Sequence, residues 1–211
     1  MGHLNITAQC CGLVVVCLLL IFYLSSKRIG LRSEKTFILA MVVSIVSLIL
    51  DISSLFAIRY LSIGSTPLNI ICKTYLVSLV FAGGSAFIYI FGDCYVGKKF
   101  KSILIAIGVI TMVEGAVILN LPISYHVEDE TIYTLGPSVM MTFACALFYV
   151  FLTIVLMAVF RKRINSRRRH GVALWLGIWI AAALVQFFNN DILLVGFACS
   201  LGMLILFIML E

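Results

Sequence analysis

Asp51, Lys73 and Glu114 stand inside long apolar runs, where an ionisable side chain is costly to hold and is normally kept for function. Gln186, Asn190 and Asp191 lie at the junction of two further apolar runs. Acids in such surroundings bind a cation, carry a proton, or pair with a buried lysine to hold helices together. Which of these applies depends on how the runs are arranged around them.

A helix needs about 20 apolar residues to cross the hydrocarbon core of a bilayer. Seven runs meet or approach that length, at 8–24, 36–58, 70–96, 103–119, 138–160, 171–188 and 192–210. The 211 residues are 63% hydrophobic and only 11% charged, too apolar for a soluble domain. None of the runs shows the strict alternation of a membrane barrel, so the chain reads as all-α: a polytopic membrane protein with one domain, a seven-transmembrane-helix bundle. Of 15 lysines and arginines, only Arg59 and Lys73 fall outside three loops. Those loops hold Lys27, Arg28, Arg32 and Lys35, then Lys98, Lys99 and Lys101, then Arg161, Lys162, Arg163, Arg167, Arg168 and Arg169. Basic loops are retained in the cytoplasm, which predicts an outside N-terminus and a cytoplasmic C-terminus. They also account for the net charge of +6 without a nucleic-acid partner, and the last cluster suits anionic lipid headgroups. The first run lacks a preceding basic residue and a following small-residue cleavage site, as an uncleaved first helix should.

This topology sorts the polar groups by depth. Helix two runs outward, placing Asp51 in its outer half, about two turns below Arg59. Glu114 falls about one and a half turns from the outer end of helix four, and Lys73 in the first turn of helix three. Gln186 closes helix six and Asp191 opens helix seven on the same side. Five helices thus contribute to a predicted polar pocket, open to the outside, that binds a small-molecule ligand. Its net acidity favours a cationic or amine ligand, with Lys73 available to neutralise Asp51 or Glu114. Trp175 and Trp179, four residues apart on one face, line this pocket or pack beside it. Residues 120–137 alternate apolar and polar on both sides of an acidic turn, Glu128-Asp129-Glu130, and predict a β-hairpin across the outer mouth. It carries Tyr125, His126, Tyr133 and Pro137. Asp93, at the inner end of helix three, is expected to pair with Lys98, Lys99 or a neighbouring basic loop, a candidate latch between resting and signalling states.

Other chemistry finds no support. The seven cysteines lie mostly in apolar runs, where the thiol acts as a small hydrophobe. One outer disulfide, from Cys10 or Cys11 to Cys72, stays open. There is no CxxC or metal-ligand spacing, and His3, His126 and His170 fall outside the runs, so no cofactor or metal is expected. HExxH and GxSxG are absent, and the Ile-Phe-Gly-Asp preceding Cys94 lacks the first glycine of GxGD, so the chain is not read as an enzyme. A retinal protein would need a lysine in 192–210. A G-protein-coupled receptor would carry Arg after Asp93 and an Asn-Pro-x-x-Tyr in helix seven.

Four stretches carry a resemblance. They are LILDISSLFAI around Asp51, TPLNIICKTYLVSLVFAGGSAFIYI with Lys73 and Tyr75, the Tyr-Thr-Leu-Gly-Pro of 133–137, and a helix ending at Gln186 followed by LGMLILFIMLE. Together they resemble the seven-helix sensor regions found N-terminal to GGDEF (diguanylate cyclase) or related bacterial signalling domains. The resemblance implies a receptor in a bacterial cytoplasmic membrane that signals through helix seven to an output domain beyond Glu211. It brings Tyr75 into a candidate ligand-binding set with Asp51, Lys73, Glu114, Tyr133, Trp179, Gln186, Asn190 and Asp191. Ala198 and Gly202 form a small-xxx-small pair, which predicts a homodimer through helix seven. The rival readings are a small proton- or cation-coupled transporter or channel, and a scaffold that gathers partners on its basic loops.

Overall fold

The computed structural model describes residues 6–25, 34–94, 100–128, 131–162, 164–188 and 194–210. Its helices follow the apolar runs, because a segment in lipid must satisfy its own backbone hydrogen bonds. They are α1 (Thr7–Ser25), α2 (Glu34–Tyr60), α3 (Thr66–Cys94), α4 (Phe100–Asn120), α5 (Pro137–Val159), α6 (Ser166–Phe188) and α7 (Val195–Leu210). Two begin a turn earlier than hydropathy places them. α3 carries Pro67 in its first turn, where the missing N–H has no helical partner to lose, and α6 takes Arg167, Arg168 and Arg169 into its own. Six helices are long and apolar enough to span a membrane. The seventh, α7, has 16 residues, about 24 Å of helix against a hydrocarbon core of about 30 Å.

The protein is an all-α, polytopic integral membrane bundle. Its exterior says so directly. Val14, Leu18, Ile21 and Phe22 of α1, and Ile105, Val109, Met112 and Val113 of α4, point outward. Belts of apolar side chains on that scale need lipid to cover them. α3 forms the axis of the bundle and packs on α2, α4 and α5, whereas α7 packs on α6, α1 and α2.

The α2–α3 contact is antiparallel and keeps one register along its length. Ala57 meets Leu68 and Cys72 at one end, Ser78 Oγ donates to Ser47 Oγ at 3.1 Å in the middle, and the rings of Phe37 and Tyr89 lie 4.9 Å apart at the other.

The hairpin covers the first of these ends. Strand β1 (Ser124–Glu128) pairs antiparallel with β2 (Thr131–Leu135). Tyr125 Oη donates to Asn69 Oδ1 at 2.7 Å, and Ile123 and Tyr125 pack on the Ala57–Leu68–Cys72 cluster. Burial, reinforced by the adjoining Cys72 thiol, pushes the Tyr125 hydroxyl above the ordinary tyrosine range, so it stays a donor at neutral pH. Ser138 Oγ fastens the start of α5 to the end of α4 through Ile118 O and Leu121 O. Gly136 turns the chain into α5 at φ 109°, where a Cβ would fall 3.2 Å from the Ser124 nitrogen.

The outer disulfide does not form. Cys10 and Cys11 are free and exposed on α1, while Cys72 is free and buried beneath the hairpin. α1 packs on α2 and α7, which keeps its thiols away from α3. The small-residue face of α7 is likewise used within the chain. Ala198 is buried, and the Trp175 indole of α6 lies directly against Gly202, in the space a Cβ would occupy. Those two positions are therefore occupied by packing within the chain. Gly202→Val should destabilise the bundle by about 1–3 kcal/mol, the usual range for overpacking. The effect is measurable as a lowered melting temperature in detergent, with part of the loss restored by Trp175→Ala. An unchanged melting temperature in Gly202→Val would contradict this seat for α7.

Candidate functional site

Asp51 is the most deeply placed ionisable side chain described, 1% exposed in the wall between α2, α3 and α7. Among the described residues neither carboxylate oxygen has a partner at full hydrogen-bond geometry. Its neighbour across the α2–α3 seam is Tyr75, which is also buried. The Tyr75 hydroxyl faces the carboxylate closely enough to interact with it, but not at full hydrogen-bond geometry. On the third side stands α7. A Cβ at Gly196 would fall 2.5 Å from Asp51 Oδ2, so the carboxylate rests against that helix's backbone. Cys199, one turn further along α7, feels the Asp51 charge and lies beside Trp179 of α6.

The seam continues in hydroxyls. Ser44, Ser47, Asp51 and Ser54 follow one another at intervals of three, four and three residues, which is one face of a helix, and all four are buried. Ser54 Oγ donates to the Asp51 carbonyl at 2.8 Å, Ser47 accepts from Ser78, and Ser44 Oγ has no partner. Ser78 and Ser85 extend the stripe on α3, both buried. Sequence reasoning singled out Asp51 and passed over these serines. Their spacing was the available signal, hidden because a serine raises little alarm inside an apolar run.

Glu114 belongs elsewhere. It is half-buried, and Tyr149 Oη of α5 donates to its Oε2 at 2.8 Å. Thr111 Oγ1 lies 2.6 Å from the same hydroxyl, and the Cys145 thiol is close by. α3 stands between the two acids. Its Tyr75 and Ser78 face α2, while Gly84 meets Thr111 and Tyr149, a Cβ there falling 2.8 Å from Thr111 Oγ1. The five-helix pocket expected from depth alone is thus two separate polar sites. Trp179 is the element that lies between them, since its ring approaches Gly83 on the side where Tyr149 also packs.

The remaining candidates have structural partners. Lys73 reaches neither acid, and its Nζ donates to Leu119 O at 2.8 Å, meeting a free carbonyl at the C-terminal end of α4. Gln186 Oε1 accepts from the main-chain nitrogens of Leu194 and Val195 at 3.3 and 3.2 Å, so it caps the start of α7. Tyr133 is half-buried in the hairpin, 5.3 Å from the ring of its cross-strand partner His126. Trp175 and Trp179 are both buried, with rings 5.9 Å apart. Asn190, Asp191 and the side chain of Asp93 lie outside the described residues. Among the described residues no group of three or more His, Cys, Asp or Glu could hold a metal ion.

No protein-family model matches the sequence, and no curated protein matches it at a significant level.

The Glu114 site gives a direct test of its assignment as a tie between α4 and α5. Tyr149→Phe removes a hydrogen bond to a carboxylate, which should cost about 1.5–3 kcal/mol and lower the melting temperature in detergent. Glu114→Gln keeps an oxygen that accepts from Tyr149 and should stay near the wild-type value. Equal losses in both variants would contradict the assignment.

Proposed function

We propose that this chain is the membrane-embedded sensor module of a bacterial signalling receptor, held in the cytoplasmic membrane, with Asp51 as the point where its ligand acts. One observation carries the reading: the unpartnered Asp51 carboxylate of α2 rests against α7 at Gly196. Whatever neutralises or draws on that carboxylate must bear at once on α7. A ligand shifts a conformational equilibrium only by its differential affinity for the two states. A carboxylate wedged against a helix backbone is a direct source of such a difference, because the stance of α7 sets the space left for the occupant. The resemblance to sensor regions ahead of GGDEF-type domains supplies the rest of the proposal. Movement of α7 passes to a cytoplasmic output domain or partner.

Helix displacement tests this. Leu39 of α2 and Ile208 of α7 are exposed, and the stacked rings of Phe37 and Phe207 place them at the same end of the bundle. Nitroxide labels at 39 and 208 should report a different distance in Asp51→Asn than in the wild type. Gly196→Ala, which puts a methyl group where the carboxylate lies, should move the same distance. Identical distances in all three proteins would overturn the proposal.

A second reading is favoured by one observation, the line of buried serines along α2 and α3. Hydroxyls in series with an acid suit the passage of protons or small cations. In liposomes loaded with a pH-sensitive dye, a transporter would acidify or alkalinise the interior under an imposed gradient, and Asp51→Asn would stop it. The sensor reading expects no flux in either protein.

A further inference from the structure

We infer that Asp51 and Tyr75 form a binding site for a monovalent alkali cation, coordinated by the Asp51 carboxylate and the Tyr75 hydroxyl in the seam between α2 and α3. The inference rests on the reading of Asp51 as the ligand site and names the chemical class of that ligand. Three buried oxygens from two helices face one another there, Asp51 Oδ1, Asp51 Oδ2 and Tyr75 Oη, and among the described residues none meets a partner at full hydrogen-bond geometry. Leaving a buried polar group unsatisfied is costly, and more so for a charged one. Three such atoms at one point call for an explanation, and a bound ion supplies one.

Charge selects the occupant. Asp51 contributes a single negative charge, and among the described residues its interacting neighbours Tyr75 and Cys199 are uncharged in their ordinary forms. Lys73 is engaged at the end of α4. One positive charge balances the site. A divalent ion would leave an excess charge in an apolar interior, and it would find a single carboxylate where such ions take several oxygen ligands. A proton also balances the charge and lets the acid pair with the Tyr75 hydroxyl, whereas an alkali cation draws on all three oxygens at once. The donors are hard oxygens, as alkali cations prefer. Space is short as well: the packing of Gly196 against Oδ2 favours a bare ion over an organic amine.

The test uses the full chain purified in N-methyl-D-glucamine chloride, whose cation is too bulky to enter. Sodium chloride then replaces it at constant ionic strength while the melting temperature is followed. Ligand binding to the folded state raises that temperature in a saturable way. The wild type should show saturable stabilisation by sodium. Asp51→Asn, a near-isosteric neutral side chain, should lose the response while eluting as a single folded species. Tyr75→Phe should keep it but need about tenfold more sodium, the change expected for one lost oxygen contact of about 1.4 kcal/mol. No stabilisation of the wild type by sodium, or the same stabilisation in Asp51→Asn, would overturn the inference. The sensor reading fails separately. Sodium binding lost in Asp51→Asn, together with an unmoved 39–208 distance, leaves the cation site standing and removes the coupling to α7. A moved distance with no effect of sodium removes the cation site alone.

Discussion

The α2–α3 seam places an acid where lipid and protein together exclude water, and the rest of the bundle is arranged around that fact. An ionised carboxylate in such a place is expensive unless something of opposite charge or a set of donors meets it. Among the described residues no charge of opposite sign and no donor at full hydrogen-bond geometry meets Asp51. Lys73, the single lysine set into an apolar run, serves the end of α4 instead. Glu114, by contrast, is met by Tyr149, and its site reads as a finished structural contact. The two acids therefore have opposite standing: one is met by a hydrogen bond within the protein, and the other is not met at full hydrogen-bond geometry by any described residue.

α7 is the element most exposed to the state of Asp51. Among the described residues it is the shortest helix, and it is seated by close contacts rather than by length. Gly196 takes the Asp51 carboxylate, Gly202 takes the Trp175 indole, and Gln186 caps its start. A helix held at a few points of tight fit has discrete stances rather than a continuum, because a packed core resists gradual deformation. Trp179 links this seat to the other half of the bundle, since it lies beside Cys199 on one side and near Gly83 on the other. The hairpin closes the same end of the α2–α3 seam through Tyr125, Asn69 and the cluster around Cys72. A cation arriving from that end must pass the hairpin's edge.

Much of the architecture was legible before any coordinates. Hydropathy placed every helix, because lipid leaves the backbone no alternative to helical hydrogen bonding. The alternation around Glu128 marked the strands for the same kind of reason, a period of two set by the pleat. What could not be read was which face of each helix meets which neighbour. Depth along the membrane put Asp51, Glu114 and Lys73 together, but rotation about α3 separates them. Lys73 looked like a counter-ion and is a helix-end donor, since a long flexible side chain can reach a free carbonyl as readily as an acid. The Ala198–Gly202 pair suggested a dimer face, and Gly202 takes the Trp175 indole, because a small residue accepts an indole from the same chain as well as a helix from another. The serines at 44, 47 and 54 carried a readable helical stripe with Asp51. They gain meaning only once Tyr75 and Ser78 are seen opposite.

The central claim is that Asp51 is balanced by an exchangeable cation rather than by a group of the protein. Difference infrared spectroscopy addresses it directly, since a protonated carboxylic acid and a carboxylate absorb at distinct positions. Adding sodium to the sodium-free protein should remove an acid carbonyl band and create carboxylate bands, with both changes absent in Asp51→Asn. A spectrum that does not respond to sodium, or one that responds equally without the Asp51 carboxylate, would contradict the account.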